Sequence, residues 1–301
     1  MTTATMMIGA HVLQVVLAIA IAPLLAGISN HIHARLLGRE GPSIWQPGRD
    51  IWKLLHKQTI VPDNWPALRR AAPTAVFALS WIMAVLVPAF ATDLFLLRGS
   101  NVFFLLALMA AIHLVLIRVA MEAGRHGEGL ASWQPAVVRA FVLLVLAWLA
   151  VWAAGTSQLP GMAVQVMQGP ASTWLALTLA ALAMVLCVAD QSLSASDLAA
   201  FDYSGRDLAL IRMAAALRLT AYLSLFACAV VPFGIVTGPL TWPAIAVGTL
   251  VYLLKVVLLA VARPVADMAV ARLWLLHHPA YLGAAAAVAA IAVIYLKAMW
   301  A

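Results

Sequence analysis

The sequence predicts an all-α integral membrane protein with about eight transmembrane helices and an amphipathic helix in its first cytoplasmic loop. Of its 301 residues, 65% are hydrophobic and only 10% are charged, whereas soluble domains carry about 25% charged residues. So few polar side chains cannot cover a water-soluble globule, but a membrane protein exposes its apolar exterior to lipid. The apolar residues also form continuous runs and do not alternate with polar ones, which favours helices over a β-barrel.

Eight apolar runs approach the length of about 20 residues that a membrane-crossing helix requires. We predict crossings at 7–28, 72–97, 102–120, 137–154, 174–189, 213–236, 242–262 and 280–299. The pattern of the seventh continues to about residue 276, interrupted by Pro264, which would kink or end that helix. No soluble domain, linker or internal repeat stands out, so residues 1–301 are predicted to form a single transmembrane domain. Residues 1–10 lack Lys and Arg, so the first run is interpreted as a retained helix and not as a secretory signal.

The basic residues indicate the orientation of the chain. Most of its 18 Lys and Arg residues lie in or beside the first, third, fifth and seventh connections. Because cytoplasmic loops are enriched in Lys and Arg, these connections are predicted to be cytoplasmic and both termini to lie outside. The net charge of +7 then reflects topology, and nothing in the pattern indicates a basic soluble face for nucleic acid.

The longest connection, residues 28–71, is the first cytoplasmic loop and is called loop one below. Pro47 can open a short helix in which Ile51, Leu54 and Leu55 share one face and basic residues lie elsewhere. Trp52 suits the depth of the lipid headgroups. This helix is either a membrane-surface helix or a docking platform for a cytoplasmic partner.

Ionisable residues at membrane depth are candidates for function, because charge is costly there. His113 lies in the third predicted crossing and Lys255 in the seventh, and Asp267 follows Pro264 near the cytoplasmic end of the same helix. The structural alternatives are a hydrogen-bonded His113, a Lys255 with a buried partner or polar cavity, and a local ion pair between Asp267 and Arg263.

The fifth connection, called loop five below, is unusually acidic for a chain with only 11 acidic residues. Its carboxylates are Asp190, Asp197, Asp202 and Asp207. They are either solvated loop charges, an entrance that feeds protons into the membrane, or a surface for a protein partner.

Several motifs for chemistry are absent from the sequence. It has no Walker A motif, no G-x-G-x-x-G fingerprint and no H-E-x-x-H zinc motif. Cys187 and Cys228 are isolated within apolar runs, so the chain lacks the roughly four thiolates of an iron–sulfur site. The residues alone predict a membrane subunit or a transporter with a few buried charges, and no metal site.

Three stretches carry a family resemblance. Residues 34–55 follow the pattern A-R-x-x-G-R-x-G-P-x-x-x-Q-P-x-x-D-x-x-K-L-L, and residues 202–210 read D-Y-S-G-R-D-L-A-L. Residues 255–283 resemble a penultimate helix and its exit, with Asp267 where the family usually carries Glu. Together they resemble the membrane subunit shared by energy-converting NiFe hydrogenases, of the formate hydrogenlyase and hydrogenase-4 types, and by subunit 1 (the H subunit) of respiratory complex I.

The resemblance implies a non-catalytic membrane-anchor and proton-coupling subunit of a complex I-like, NiFe hydrogenase-type respiratory complex. Hydrogenase-like small and large subunits on the cytoplasmic side would hold the NiFe and iron–sulfur centres, and this chain would bind no cofactor. Antiporter-like membrane subunits and lipid are the other expected partners. The expected location is the bacterial inner (cytoplasmic) membrane, with both termini periplasmic.

The resemblance also assigns two sets of residues. The partner-docking set is Arg35, Arg39, Gln46, Asp50 and Lys53. The proton-path set is Asp190, Asp197, Asp202, Lys255 and Asp267.

Two other functions remain open at this point. A stand-alone secondary transporter predicts inverted repeats and broken helices around a midplane site. A purely structural anchor that no longer conducts protons is favoured by loop five, which carries fewer carboxylates than the resembled family.

Overall fold

The structure, a computed structural model, describes residues 3–60, 66–92, 94–122, 143–145, 147–148, 150–151, 154–168, 203–238, 241–274 and 291. In these ranges all regular secondary structure is helical, so the predicted all-α class is confirmed for them. In chain order the named helices are α1 (Thr3–Leu36), α2 (Gln46–Leu55), α3 (Ala67–Leu86), a 3-10 helix (Phe95–Gly99), α4 (Val102–Glu122), α5 (Leu159–Gln168), α6 (Gly205–Val230) and α7 (Trp242–Trp274).

Four of the described helices are long and apolar enough to cross a membrane. These candidate spans are Thr5–Leu36, Val102–Glu122, Gly205–Val230 and Trp242–Met268, and they match the first, third, sixth and seventh predicted crossings. The crossings predicted at 137–154, 174–189 and 280–299 lie wholly or mostly outside the described residues. The total of about eight crossings therefore stays a prediction.

The second predicted crossing, 72–97, is not one continuous helix. The helix α3 ends at Leu86, and Val87 is extended, with φ −80° and ψ 127°. The chain is helical again only in the 3-10 turn that follows. Pro88 explains the break, because the residue before a proline avoids the helical region and proline has no N–H to donate.

The sixth predicted crossing, 213–236, has both of its ends misplaced. The helix α6 begins at Gly205 and ends at Val230, so it starts earlier and stops earlier than predicted. Arg206 and Arg212, which precede the predicted crossing, lie within the helix. Its end is explained by Pro232, which cannot continue a helix.

The seventh crossing continues through its proline. The helix α7 runs from Trp242 to Trp274 with Pro264 inside it, so the predicted long extension is confirmed. Pro264 removes one backbone hydrogen bond without ending the helix, which membrane helices tolerate because their neighbours satisfy the freed groups.

The central helix of the described part is α6. It packs against α1, α2, α3, α5 and α7. Ala209, Ala214 and Leu217 on this helix are completely buried. Small side chains let helix backbones approach closely, which matters in lipid because packing rather than water exclusion holds membrane helices together.

Two ends of the bundle are distinguished below. The loop-one end holds residues 37–60 and 66, and the opposite end holds residues 87–92, 94–101, 154–158, 231–238 and 241. At the opposite end backbone N–H groups link these connections: Val236 donates to Phe90 at 2.8 Å and Leu159 to Ser100 at 3.0 Å. The buried Gln14 of α1 donates from Nε2 to the carbonyl of Val85 at 2.7 Å. The described connections of the opposite end are therefore joined by the chain's own hydrogen bonds.

Candidate functional site

The loop-one platform consists of residues 37–60, with α2 at its centre. The helix starts where predicted, because Pro47 occupies its first turn, where a missing N–H costs nothing. Ile51 is its buried anchor, and α2 packs against α1 and α6. The predicted amphipathic helix of loop one is therefore confirmed, with Leu54 half-buried and Leu55 exposed.

Two glycines bring the platform close to α1. A Cβ atom added to Gly27 would lie 1.8 Å from the carbonyl oxygen of Ile44. A Cβ atom on Gly41 would lie 2.7 Å from the carbonyl oxygen of His31. The ring nitrogen Nδ1 of His31 is also 2.8 Å from the carbonyl oxygen of Pro42. The turn before α2 therefore lies directly on the α1 backbone, with no space for a larger side chain.

The outer surface of the platform is basic and aromatic. Of the residues predicted to dock a partner, Arg35, Arg39, Gln46 and Lys53 are exposed, and Asp50 is half-buried. The exposed basic residues on and next to the platform are Arg35, Arg39, Arg49, Lys53 and Lys57.

Two tryptophans stand among these charges. Trp45 is 68% exposed and Trp52 is 66% exposed, although Trp is on average well buried in proteins. The Trp52 and His56 rings have their centroids 4.7 Å apart. Exposed tryptophan beside arginine is typical of the energetically dominant residues of protein interfaces.

A second element, the YSGR clasp, fixes the far side of the platform. It consists of residues 203–206, which lead into α6. The Ser204 hydroxyl accepts the Ile60 N–H at 3.0 Å, and the Arg206 Nε–H donates to the Leu55 carbonyl at 3.3 Å. The buried Tyr203 hydroxyl donates to the Arg69 carbonyl at 2.8 Å, at the start of α3. The clasp therefore joins loop one, α3 and α6.

Glycine is required at position 205 of the clasp, because the backbone there is left-handed and a side chain would have no room. Gly205 has φ +53°, and a Cβ atom there would lie 2.4 Å from the Gln58 carbonyl oxygen. Side-chain-bearing residues adopt this left-handed region at a cost of about 1–2 kcal/mol. The segment after α2 thus touches the first residue of α6.

Of the predicted proton-path residues, Asp267 lies in an ion-pair cluster. Its Oδ2 is 3.5 Å from the Nε of Arg263, one turn back on α7, as the local alternative predicted. His33, near the end of α1, is close enough to interact electrostatically with Asp267. This cluster faces the same end of the bundle as the platform.

Lys255 lies elsewhere. Its ammonium group donates to the carbonyl oxygens of Val231, at 2.5 Å, and of Phe233. Those carbonyls belong to the connection that leaves α6 at the opposite end, where a cation is favourable beside a helix C-terminus. Twelve residues separate Lys255 from Asp267, about 18 Å along one helix. The structure does not bring these two predicted path residues together.

The remaining predicted path residues, Asp190, Asp197 and Asp202, lie outside the described residues. His113 contacts its own helix, with Nδ1 2.8 Å from the Met109 carbonyl oxygen. Within the described ranges no group of three or more His, Cys, Asp or Glu side chains comes together.

Two features of this site were not predicted from the sequence. The D-Y-S-G-R stretch contributed only to the family resemblance, whereas its residues hold loop one in place. The signal available was a glycine between two hydrogen-bonding residues at a predicted helix start, a position that often needs positive φ. The second feature is Arg218, which was not among the candidate residues and is buried within α6, with 6% of its surface exposed.

Comparison with known proteins agrees with the sequence pattern. A family model described as NADH dehydrogenase matches residues 8–296. Hydrogenase-4 component C of Escherichia coli (strain K12) is 28% identical over 291 residues, which cover 90% of this chain and 90% of that protein. Formate hydrogenlyase subunit 4 of the same organism is 26% identical over 238 residues, 74% of this chain and 77% of that protein. These matches confirm the predicted resemblance.

A solved structure shares the fold. A chain of the membrane-bound sulfane sulfur reductase, an archaeal respiratory membrane complex, superposes with a TM-score of 0.66. The match covers 95% of this chain and 99% of that chain, at 19% sequence identity. At this identity the likeness concerns the fold alone.

Proposed function

Because this chain belongs to the NADH dehydrogenase family, we propose that it is the membrane-anchor and proton-coupling subunit of a complex I-like, hydrogenase-type respiratory complex. It would bind no redox cofactor itself, and the NiFe and iron–sulfur centres would lie on hydrogenase-like small and large subunits. Antiporter-like membrane subunits would be its neighbours in lipid. The loop-one end would face the cytoplasm of a bacterium, with both termini in the periplasm.

The loop-one platform is the observation that carries this proposal. Its tryptophans and basic side chains are exposed, while its backbone is held against α1 by close glycine contacts and against α6 by the clasp. A rigid surface binds a partner at a smaller entropic cost than a mobile loop. Its positive charge fits a soluble partner with an acidic face.

Charge reversal on the platform tests docking. We expect Arg39→Glu combined with Lys53→Glu to reduce the amount of soluble redox subunits that co-purify with the tagged chain by about 30-fold, since opposed like charges cost several kcal/mol. Nickel and iron in the digitonin-solubilised complex measure those subunits directly. The matched control is Arg98→Gln, at the opposite end.

The controls separate folding from docking. The double variant should reach the membrane at the wild-type level, because surface charges contribute little to stability. Unchanged nickel and iron in the double variant would contradict docking at this surface. A wild-type chain that purifies alone and moves a solute in liposomes would instead support the stand-alone transporter.

Proton coupling is the less supported half of the proposal. Asp267, at the platform end of α7, is the path residue whose surroundings fit best, because its ion pair with Arg263 gives it a neighbour that can respond to its charge. Asp190, Asp197 and Asp202 would complete the path from loop five. The second candidate function is an anchor that conducts no protons. It is favoured by Lys255, because the ammonium group of this residue already donates to two backbone carbonyls.

Neutralising Asp267 distinguishes these two functions. In the reconstituted complex, Asp267→Asn should lower proton movement per redox turnover by about 100-fold, the scale for removing a positioned proton-transfer group. The redox turnover itself should persist, and proton movement is followed with a pH-sensitive dye inside the vesicles. Glu40→Gln, on the exposed platform, is the control. Full proton movement in the Asp267→Asn variant would contradict a proton path through Asp267 and favour the anchor function for this chain.

A further inference from the structure

The helix α2 lies beside the apolar part of α1 and not beyond its end. A Cβ atom on Gly48, near the start of α2, would lie 3.8 Å from the Pro23 Cβ of α1. Ile51, the buried anchor of α2, belongs to the same hydrophobic cluster as Ala22 of α1. Both α1 residues fall inside the apolar run 7–28, which is predicted to cross the membrane. The position of α2 along α1 therefore corresponds to a part of α1 that lies in the membrane.

The turn before α2 returns along α1 to reach this position. Pro42 lies beside His31, whose Nδ1 is 2.8 Å from the Pro42 carbonyl oxygen, and Gly48 lies beside Pro23. The eight residues from His31 back to Pro23 correspond to about 12 Å along α1, and Pro23 lies about 8 Å inside the end of the apolar run. Amphipathic helices at a membrane surface lie about 5–10 Å into the boundary between headgroups and acyl chains. The helix α2 has the depth of such a helix.

The face of α2 that points away from the bundle is basic. Arg49 and Lys53 each lie two residues from the buried Ile51, which places them on the opposite side of the helix. Lys57 follows four residues after Lys53, directly beyond the end of the helix. All three basic side chains are exposed, whereas Asp50 is half-buried. The outward face therefore carries three positive charges.

One flank of α2 is apolar and exposed. Trp52 and Leu55 lie three residues apart, so they share this flank, with 66% and 39% of their surfaces exposed. Tryptophan is enriched where a membrane meets water, because its ring is apolar and its N–H is polar. Lysine and arginine beside it can bury their apolar stems and extend their charge to the headgroups. Both flank and outward face thus suit the membrane surface.

We propose that the basic face of α2, with Arg49 and Lys57 at its two ends, binds the headgroup of an anionic phospholipid of the surrounding bilayer. Arginine binds phosphate oxygens through two parallel hydrogen bonds, and lysine adds a point charge. The inference goes beyond the proposed function and requires only that the chain spans a membrane. Lys53 also belongs to the predicted docking set, but Arg49 and Lys57 do not, so lipid binding can be tested separately from docking.

Native mass spectrometry of the purified full-length chain tests this proposal. Phosphatidylglycerol is the anionic probe and phosphatidylethanolamine is the zwitterionic one. Arg49→Gln combined with Lys57→Gln should weaken phosphatidylglycerol binding by about 30-fold, since each basic residue near an anionic surface contributes about fivefold. Each single variant should show about a fivefold loss, and phosphatidylethanolamine binding should not change.

The matched control is Arg35→Gln combined with Arg39→Gln. Both residues are exposed, and Arg39 donates its N–H to the carbonyl of Ala34, near the end of α1. Arg35 is about 18 Å further along α1 than Pro23, beyond the position of α2. This control should bind phosphatidylglycerol as wild type does. All variants should keep the wild-type unfolding midpoint in detergent, because exposed charges contribute little to stability.

Three results would overturn the inference. The first is a wild-type chain that binds phosphatidylglycerol no more tightly than phosphatidylethanolamine. The second is an equal loss of phosphatidylglycerol binding in the control. The third is loss of nickel and iron from the Arg49→Gln, Lys57→Gln complex with full phosphatidylglycerol binding, which would assign the basic face to a protein partner. If nickel and iron are retained and lipid binding is unchanged, only the lipid site fails and the proposed function stands.

Discussion

Gly205→Ala is expected to destabilise the chain by about 3 kcal/mol and to release the segment after α2. The left-handed φ contributes about 1–2 kcal/mol, and the contact of the new Cβ with the Gln58 carbonyl adds an overpacking cost of about 1–3 kcal/mol. The clash is with backbone, so no side-chain rotation relieves it. The clasp would separate from residues 55–60, and the platform would lose its connection to α6.

Two measurements check this expectation. The thermal unfolding midpoint of the purified chain in detergent should fall, and trypsin should cleave after the exposed Lys57 faster than in wild type. Gly155→Ala is the matched control, because Gly155 has φ +64° but nothing within 4 Å of an added Cβ. It therefore carries the conformational cost without the clash. Equal effects of the two variants would show that Gly205 contact with loop one is unimportant.

Gly27→Ala is expected to move the platform away from α1. Inside an ordinary helix the same change stabilises by about 1 kcal/mol. Here the new Cβ would lie 1.8 Å from the Ile44 carbonyl oxygen, so the turn before α2 has to shift. We expect a net destabilisation of about 2 kcal/mol and a marked loss of the redox subunits that co-purify with the chain.

Gly48→Ala provides the control for this prediction. Gly48 lies in α2, and an added Cβ would meet only Pro23 Cβ at 3.8 Å. That is an ordinary contact, so this variant should be neutral or slightly more stable. The unfolding midpoint and the nickel and iron content are measured for both variants. A Gly27 variant as stable as the Gly48 variant, with full metal content, would contradict the tight packing of loop one on α1.

Membrane insertion and the helix in loop one could be predicted from the sequence because they depend on local properties. Length and apolar composition decide whether a segment can cross a bilayer. Pro47, followed one turn later by Ile51, marks an amphipathic helix without reference to any neighbour. Of the residues predicted to dock a partner, Arg35, Arg39, Gln46 and Lys53 are exposed and Asp50 is half-buried. Their role in binding a partner stays a prediction.

The helix ends were predicted less well, for a physical reason. A charged residue near an apolar run indicates a loop only if no partner compensates it, and the sequence does not reveal partners. Arg206, for example, donates to a loop-one carbonyl from within α6, which begins well before the apolar run. In contrast, the helix break after Leu86 follows from Pro88 itself. It was not predicted because the apolar run 72–97 is long enough to be taken for one continuous crossing.

The sequence by itself determined that this chain is a helical membrane protein of a recognisable family, because hydropathy and motif spacing are properties of short segments. Only the tertiary structure decided which residues act together. It connected the YSGR clasp to loop one across nearly 150 residues, held Lys255 at the opposite end from Asp267, and buried Arg218 in the central helix. Such contacts depend on helix packing, which places residues distant in sequence within hydrogen-bonding distance and excludes them from lipid.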